Sequence, residues 1–205
     1  MTILVITKVI CLFNADDGSS VSVDVYTIGP NSWKSTQVLP YVICTMEESG
    51  VLVNGLFHWL GYRTENFSAA IISLDISSEK FEALQPPKVP IEKKQWELSV
   101  GVLKDFLSVL CCGVNVEVRV MQDYGVQESW TKHYTITHEG ILRDCTWRLM
   151  WSFSSGEILF GIGDCYLADL VLYDPNDGSA RKPNMHVENQ IFAFQDGMST
   201  IVLKA

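Results

Sequence analysis

The sequence predicts an all-β fold made of repeated four-stranded antiparallel units. Three observations lead there. Tight-turn dipeptides recur between apolar runs, a strand–turn–aromatic pattern recurs between those runs, and no segment shows a confident helical apolar period. The dipeptides are Asn54-Gly55, Lys104-Asp105, Ser155-Gly156 and Asp196-Gly197, spaced by 50, 51 and 41 residues. In VLVNGLFHWL the Asn-Gly pair suits a type I′ turn, because both residues tolerate positive φ. Both faces of that hairpin carry large apolar groups, so both must be covered. VGVLKDFLSVLCC and LMWSFSSGEILFG repeat the layout, and FAFQDGMSTIVL repeats it weakly.

The second pattern reads VYTIGPNSW, ISLDISSEKF, RVMQDYGVQESW and LVLYDPNDGSA, ending at Trp33, Phe81, Trp130 and Ala180 in steps of 48, 49 and 50. Asp75 and Asp174 are placed to hold their own turns through Asx-type hydrogen bonds. Two markers with one period imply about four short strands per unit, the content of a propeller blade. Neighbouring blades must then cover each other's faces. The expected architecture is a β-propeller-like array of such blades, which four hairpins need not close into a ring. A core position for Trp130 would make its truncation cost about 3–5 kcal/mol. The opening run MTILVITKVICLF reads as a buried strand, and Val89–Leu98, interrupted by Pro90, as a loop between blades.

Of 205 residues, 47% are hydrophobic and 19% charged, enough apolar material for a substantial core. The net charge of −9, with no Lys/Arg tract, argues against nucleic acid or an anionic membrane as the main partner. No run reaches the length of a membrane-spanning helix. Six cysteines without a CxxC pair fit scattered core thiols in a reducing, intracellular compartment, cytoplasm or nucleus. Asn66-Phe67-Ser68 is a glycosylation sequon that matters only in a secreted chain.

Catalytic motifs do not emerge. Phosphate-loop, nucleophile-elbow and HExxH patterns are absent, and Gly161-Ile162-Gly163 reads as a strand end. His58 is expected to take a packed or edge role, while His133 and His138 are weak candidates for a metal pair. No cofactor and no metal is expected. Asp123 and Glu128 could in principle act as an acid–base pair, but turn capping and a solvated rim explain them more simply. Binding is expected in loops, since strands are occupied by packing. The candidate partner-binding residues are Arg63 and Phe67 in Tyr62–Ser68, and Asp123, Tyr124 and Glu128 in Asp123–Glu128. The acidic balance favours a basic face on the target.

The ordered series VYTIGPNSWK, SGVLVNGLFHWLG, ISLDISSEKFEAL, VGVLKDFLSVLCC and VRVMQDYGVQESWTKHYTI resembles the associated domain of plant F-box proteins of the kelch-like type. It covers the chain from about Val21 onward and is strongest over 21–205, and the whole of 1–205 reads as one such domain. The resemblance implies a kelch-type propeller without catalytic residues. It implies fold-maintaining roles for Trp33, Gly55, Trp59 and Trp130. It also implies recruitment of a target protein for ubiquitin transfer by a Skp1–cullin–F-box ligase. No F-box precedes the first repeat, so Skp1 and cullin are expected only through an F-box absent from this sequence. The alternative reading is a stand-alone propeller scaffold or decoy.

Overall fold

A computed structural model describes residues 8–28, 30–43, 50–89, 97–113, 115–137, 146–163 and 168–183. Those residues form four antiparallel sheets and one short 3-10 turn, Gln127–Ser129. The first sheet holds β1 (Lys8–Asn14), β2 (Val21–Thr27) and β3 (Ser32–Leu39), in that order. The second holds β4 (Tyr41–Ile43), β5 (Val51–Val53), β6 (Leu56–Arg63), β7 (Ala69–Asp75) and β8 (Lys80–Leu84); β4 and β5 both pair with β6. The third is β9 (Glu97–Leu103), β10 (Phe106–Cys112), β11 (Val116–Met121) and β12 (Trp130–Ile136). The fourth is β13 (Thr146–Ser152), β14 (Ile158–Gly163), β15 (Ala168–Asp174) and β16 (Ser179–Arg181).

The all-β, blade-like reading therefore holds, with corrections in detail. The first sheet has three described strands, and the second has five because one edge is shared by two short strands. The loop expected over Val89–Leu98 ends sooner, since β9 already includes Glu97 and Leu98. The buried strand expected at the start is β1, where Ile10, Cys11 and Leu12 are buried; residues 1–7 lie outside the described set.

The chain divides into two compact units. One contains the residues up to Gly50 together with Gly55–Ala83; the other contains Val51–Asn54 and the described residues from Leu84 on. In the first unit, Leu12, Val23 and Val25 of the first sheet share a core with Phe57, Trp59, Ile72 and Leu74 of the second. In the second unit, Leu110, Val118 and Val120 of the third sheet share a core with Trp147, Phe160 and Tyr173 of the fourth. The alternation of strand side chains explains both: every second residue points into the shared layer. Close approach needs small residues. A Cβ on Gly50 would lie 2.4 Å from the Trp59 ring, and one on Gly101 would lie 3.0 Å from Leu149.

The turns follow their residue chemistry. Asn54 and Gly55 have φ of 52° and 78°, and Lys104 and Asp105 have 50° and 69°, as a type I′ turn requires. Ser155-Gly156 differs: Ser152 faces Ile158 across a five-residue connection. There Phe153 N–H donates to the Glu157 carbonyl at 2.8 Å, and only Gly156 takes positive φ, at 96°. Ser cannot adopt the left-handed region as cheaply as Asn or Gly, so the loop lengthens. Asp196-Gly197 lies outside the described residues. The Asx turns are as expected: Ser77 N–H donates to Asp75 Oδ1 at 2.8 Å, and Asn176 N–H to Asp174 Oδ1 at 2.9 Å.

The four fold-maintaining positions separate. Gly55 holds its turn and Trp59 is 1% exposed, but Trp33 is 59% exposed on the edge strand β3. Trp33 faces away from the shared core and lies tilted against Tyr26, with ring centroids 5.1 Å apart. His58 is buried, as expected. Cys11, Cys111 and Cys112 are buried thiols, and burial pushes the Cys111 thiol up to about 12. Cys44, Cys145, Cys165, His138 and His186 lie outside the described residues.

At the turn between β7 and β8, the Glu79 carboxylate accepts from Lys8 Nζ at 2.7 Å and Lys34 Nζ at 2.8 Å. The hydrogen bonds from Lys34 and then Lys8 hold its carboxyl below the usual range. A carboxylate whose folded pKa is depressed contributes stability that is complete above its unfolded pKa of about 4.3 and disappears as pH falls through the folded value. Glu79→Gln should therefore destabilise the protein at neutral pH, and its difference from wild type should shrink below about pH 4 in melting curves. Trp59→Ala should cost about 3–5 kcal/mol. Trp33→Ala should cost less than about 1 kcal/mol, both read from urea unfolding midpoints.

Candidate interaction surface

Arg63 is the last residue of β6, and Phe67 lies in the connection that follows, between β6 and β7. Phe67 N–H donates to the Arg63 carbonyl at 2.8 Å, and Arg63 N–H to the Ser68 carbonyl at 2.9 Å. Asn66 Oδ1 accepts from Ser68 N–H at 2.9 Å. This closes a tight loop in which Phe67 takes φ of 53° and presents its ring 74% exposed. Positive φ is uncommon for a bulky residue, so the loop's hydrogen bonds hold this ring out against a local cost. Arg63 is half-buried because its guanidinium lies 5.4 Å from the centroid of the Tyr41 ring on the paired strand β4.

Asp123, Tyr124 and Glu128 belong to the connection between β11 and β12. Ser129 Oγ donates to the Asp123 carbonyl at 2.9 Å or the Val126 carbonyl at 2.7 Å. Gly125, at φ 84°, turns its N–H onto Met121 Sδ at 3.1 Å. The backbone carbonyl of Asp123 closes the loop, while the side chains of Asp123 and Glu128 are exposed and Tyr124 is half-buried. Trp130 is half-buried, not a core residue, and its indole N–H donates to the Gln85 carbonyl at 3.0 Å. The two loops lie in different units and leave their sheets differently. One joins the second and third strands and the other the third and fourth, and in an antiparallel sheet those connections emerge at opposite ends.

Sequence reasoning missed a further group in the second unit. Ser99 Oγ donates to the Trp147 carbonyl at 2.6 Å, and Gly101 abuts Leu149. Residue numbers rise together along β9 and β13, so these strands run side by side in the same direction. Their hairpin tips, 104–105 and 153–157, therefore share one end of the unit. The loops 122–129 and 174–178 emerge at that end too, because each lies two antiparallel connections away from its tip. This end combines exposed Phe106, Val126 and Phe153 with the acidic side chains of Asp105, Asp123, Glu128 and Asp177. Hydrogen bonds from Ser179 hold the Asp177 carboxyl below its ordinary range. The signal available in the sequence was an aromatic at each hairpin tip, but only the parallel placement of β9 and β13 brings the tips together. Among the described residues, no group of three or more His, Cys, Asp or Glu could hold a metal ion. No described helix is long and apolar enough to cross a membrane.

The F-box associated beta propeller domain matches residues 3–158. The chain belongs to this family. The family is a non-catalytic interaction domain, in keeping with loops that are aromatic and acidic without a catalytic group. Three Arabidopsis thaliana proteins are similar. F-box/kelch-repeat protein At3g23880 is 29% identical over 92% of this chain and 50% of its own length. F-box protein CPR1 is 30% identical over 56% of this chain and 31% of its own. F-box protein At4g22390 is 30% identical over 57% and 32%. The chain thus spans half the length of the first relative and about a third of the others. It is an interaction module of the plant F-box-associated type.

A half-buried ring with one hydrogen bond is worth less than a core ring. Trp130→Ala should cost about 1–2 kcal/mol, below the loss for Trp59→Ala, as measured by chemical denaturation.

Proposed function

We propose that this chain is the target-recognition part of a Skp1–cullin–F-box ubiquitin ligase, with its four sheets serving as blades of a kelch-type propeller. Family membership over residues 3–158 carries the reading, and the relatives are named as F-box proteins. In this reading the domain binds a target protein through its loops, and ubiquitin chemistry belongs to other subunits. Skp1 and the cullin are reached through an F-box and not through these sheets. The buried thiols Cys11, Cys111 and Cys112 suit a reducing cytoplasm or nucleus.

The candidate recognition loops are, in the first unit, the one carrying Arg63 and Phe67 and, separately in the second unit, the end carrying Asp123, Tyr124, Glu128, Phe106 and Phe153. Exposed rings set among carboxylates suit a target with an apolar anchor flanked by Lys or Arg. Exposed aromatics supply the desolvated contact, and the acidic rim steers a basic partner while disfavouring an acidic one.

Affinity purification of the full-length gene product should recover Skp1, a cullin and a target together. Substituting Phe67, Phe106 and Phe153 by Ser should cut target recovery at least about tenfold while Skp1 recovery stays unchanged. Target recovery without Skp1 or cullin would favour the scaffold reading. Unchanged target binding by the triple variant would remove these loops from the surface.

A further inference from the structure

One hairpin turn of the fold carries a chemically reactive pair. Asn-Gly occurs once in the sequence, at Asn54-Gly55. The two residues form the whole connection between β5 and β6, with φ of 52° and 78°. Both are exposed, and a Cβ built on Gly55 would meet nothing within 4 Å. Water and base therefore reach this peptide bond freely. The bond that closes a tight turn runs between its flanking residues, so the Gly55 N–H stays outside the strand ladder. The Asn54 amide makes no hydrogen bond among the described residues.

Comparable turns are guarded. Asp17 precedes Gly18 and Asp177 precedes Gly178, but each carboxylate accepts a backbone N–H two residues on, from Ser19 at 2.9 Å and from Ser179 at 2.8 Å. Hydrogen bonds from Ser19 and Ser179 hold both carboxyls below their usual range. A carboxylate kept ionised offers no leaving group to an amide nitrogen. Asn66 and Asn176 are also engaged. Asn66 Oδ1 accepts from Ser68 N–H at 2.9 Å, and Asn176 Nδ2 donates to Asp174 Oδ1 at 2.9 Å. Phe67 and Asp177 follow them, and a side chain on the following residue crowds the attacking nitrogen. Gly55 has none.

We propose that Asn54 is a site of spontaneous deamidation, and that the isoaspartyl product loosens the β5–β6 hairpin. Base removes the Gly55 N–H proton as that nitrogen attacks Asn54 Cγ. The N–Cγ bond forms, the Cγ–Nδ2 bond breaks, and ammonia leaves with a proton from solvent. The product is a succinimide ring. Water then opens the ring at either carbonyl. Cleavage of the new N–Cγ bond gives an aspartyl residue. Cleavage of the original peptide bond gives an isoaspartyl residue. The sum is one water consumed and one ammonia released, with no oxidant or reductant.

The isoaspartyl form routes the main chain through the former side chain. It thereby adds an atom to a turn whose length sets the strand register. β6 carries Phe57 and Trp59 into the core, so a slack turn costs packing as well as pairing. The site lies outside the candidate recognition loops, and its failure leaves the recognition reading untouched.

The full chain, aged in heavy-oxygen water at neutral and at alkaline pH and then mapped by mass spectrometry, tests this. One heavy oxygen should enter at Asn54, with an isoform one charge more acidic on ion exchange, and faster at alkaline pH. Asn54 should react at least about tenfold faster than Asn66 or Asn176. Asn54→Gly keeps a residue suited to positive φ and should form no such isoform. The purified isoaspartyl form should melt below the unaged chain. An Asn54 that stays intact in the folded chain while it reacts in the urea-unfolded chain overturns the proposal. So does heavy oxygen entering Asn66 or Asn176 first. An isoaspartyl form that melts with the unaged chain overturns the loosening of the hairpin.

Discussion

A β-sheet with apolar side chains on both faces cannot be stable alone, and this constraint organises the whole structure. Strand geometry sends alternate residues to opposite faces, so a run such as Leu56–Arg63 exposes two greasy surfaces unless something lies on each. In the first unit, Val23 and Val25 receive Trp59 and Leu74; in the second, Val118 and Val120 receive Phe160 and Tyr173. Layers of this kind pack face to face, and Gly101 lets the third and fourth sheets approach closely at Leu149.

What remains for recognition is the set of connections. The strands use their backbone groups in pairing and their side chains in packing, so specificity must reside in turns and loops held by local bonds. Asx turns at Asp75 and Asp174, and the Ser129 hydroxyl at the 122–129 loop, do the holding. Such bonds fix loop shape without covering the side chains: Val126 stands exposed in the loop held by Ser129, and Phe67 in the loop held by Asn66. Such surfaces suit partner binding.

Much of this was legible in the residues. The repeat period, the Asn54-Gly55 and Lys104-Asp105 turns, and the burial of His58 follow from local chemistry: positive φ at turn residues and strict alternation in strands. Trp33 and Trp130 were harder. An aromatic at a recurring position reads as core, yet both sit at strand starts beside a loop, where a ring can lie along the sheet and stay partly wet. Ser155-Gly156 misled for a similar reason, since the dipeptide resembles a two-residue turn but only its glycine accepts left-handed geometry.

The amino-acid sequence by itself determined the strand-forming segments, the turn chemistry, the acidic balance and the lack of catalytic motifs, because each depends on residues close together in the chain. Which loops share a surface was decided only by tertiary structure. Phe106 and Phe153 are far apart in sequence and lie at the same end of the second unit because Ser99 and Gly101 hold β9 alongside β13. How deeply a strand position is buried was decided there too: Leu172 and Val120 look alike in their strands, yet Val120 lies in the core shared by the third and fourth sheets and Leu172 is half-buried.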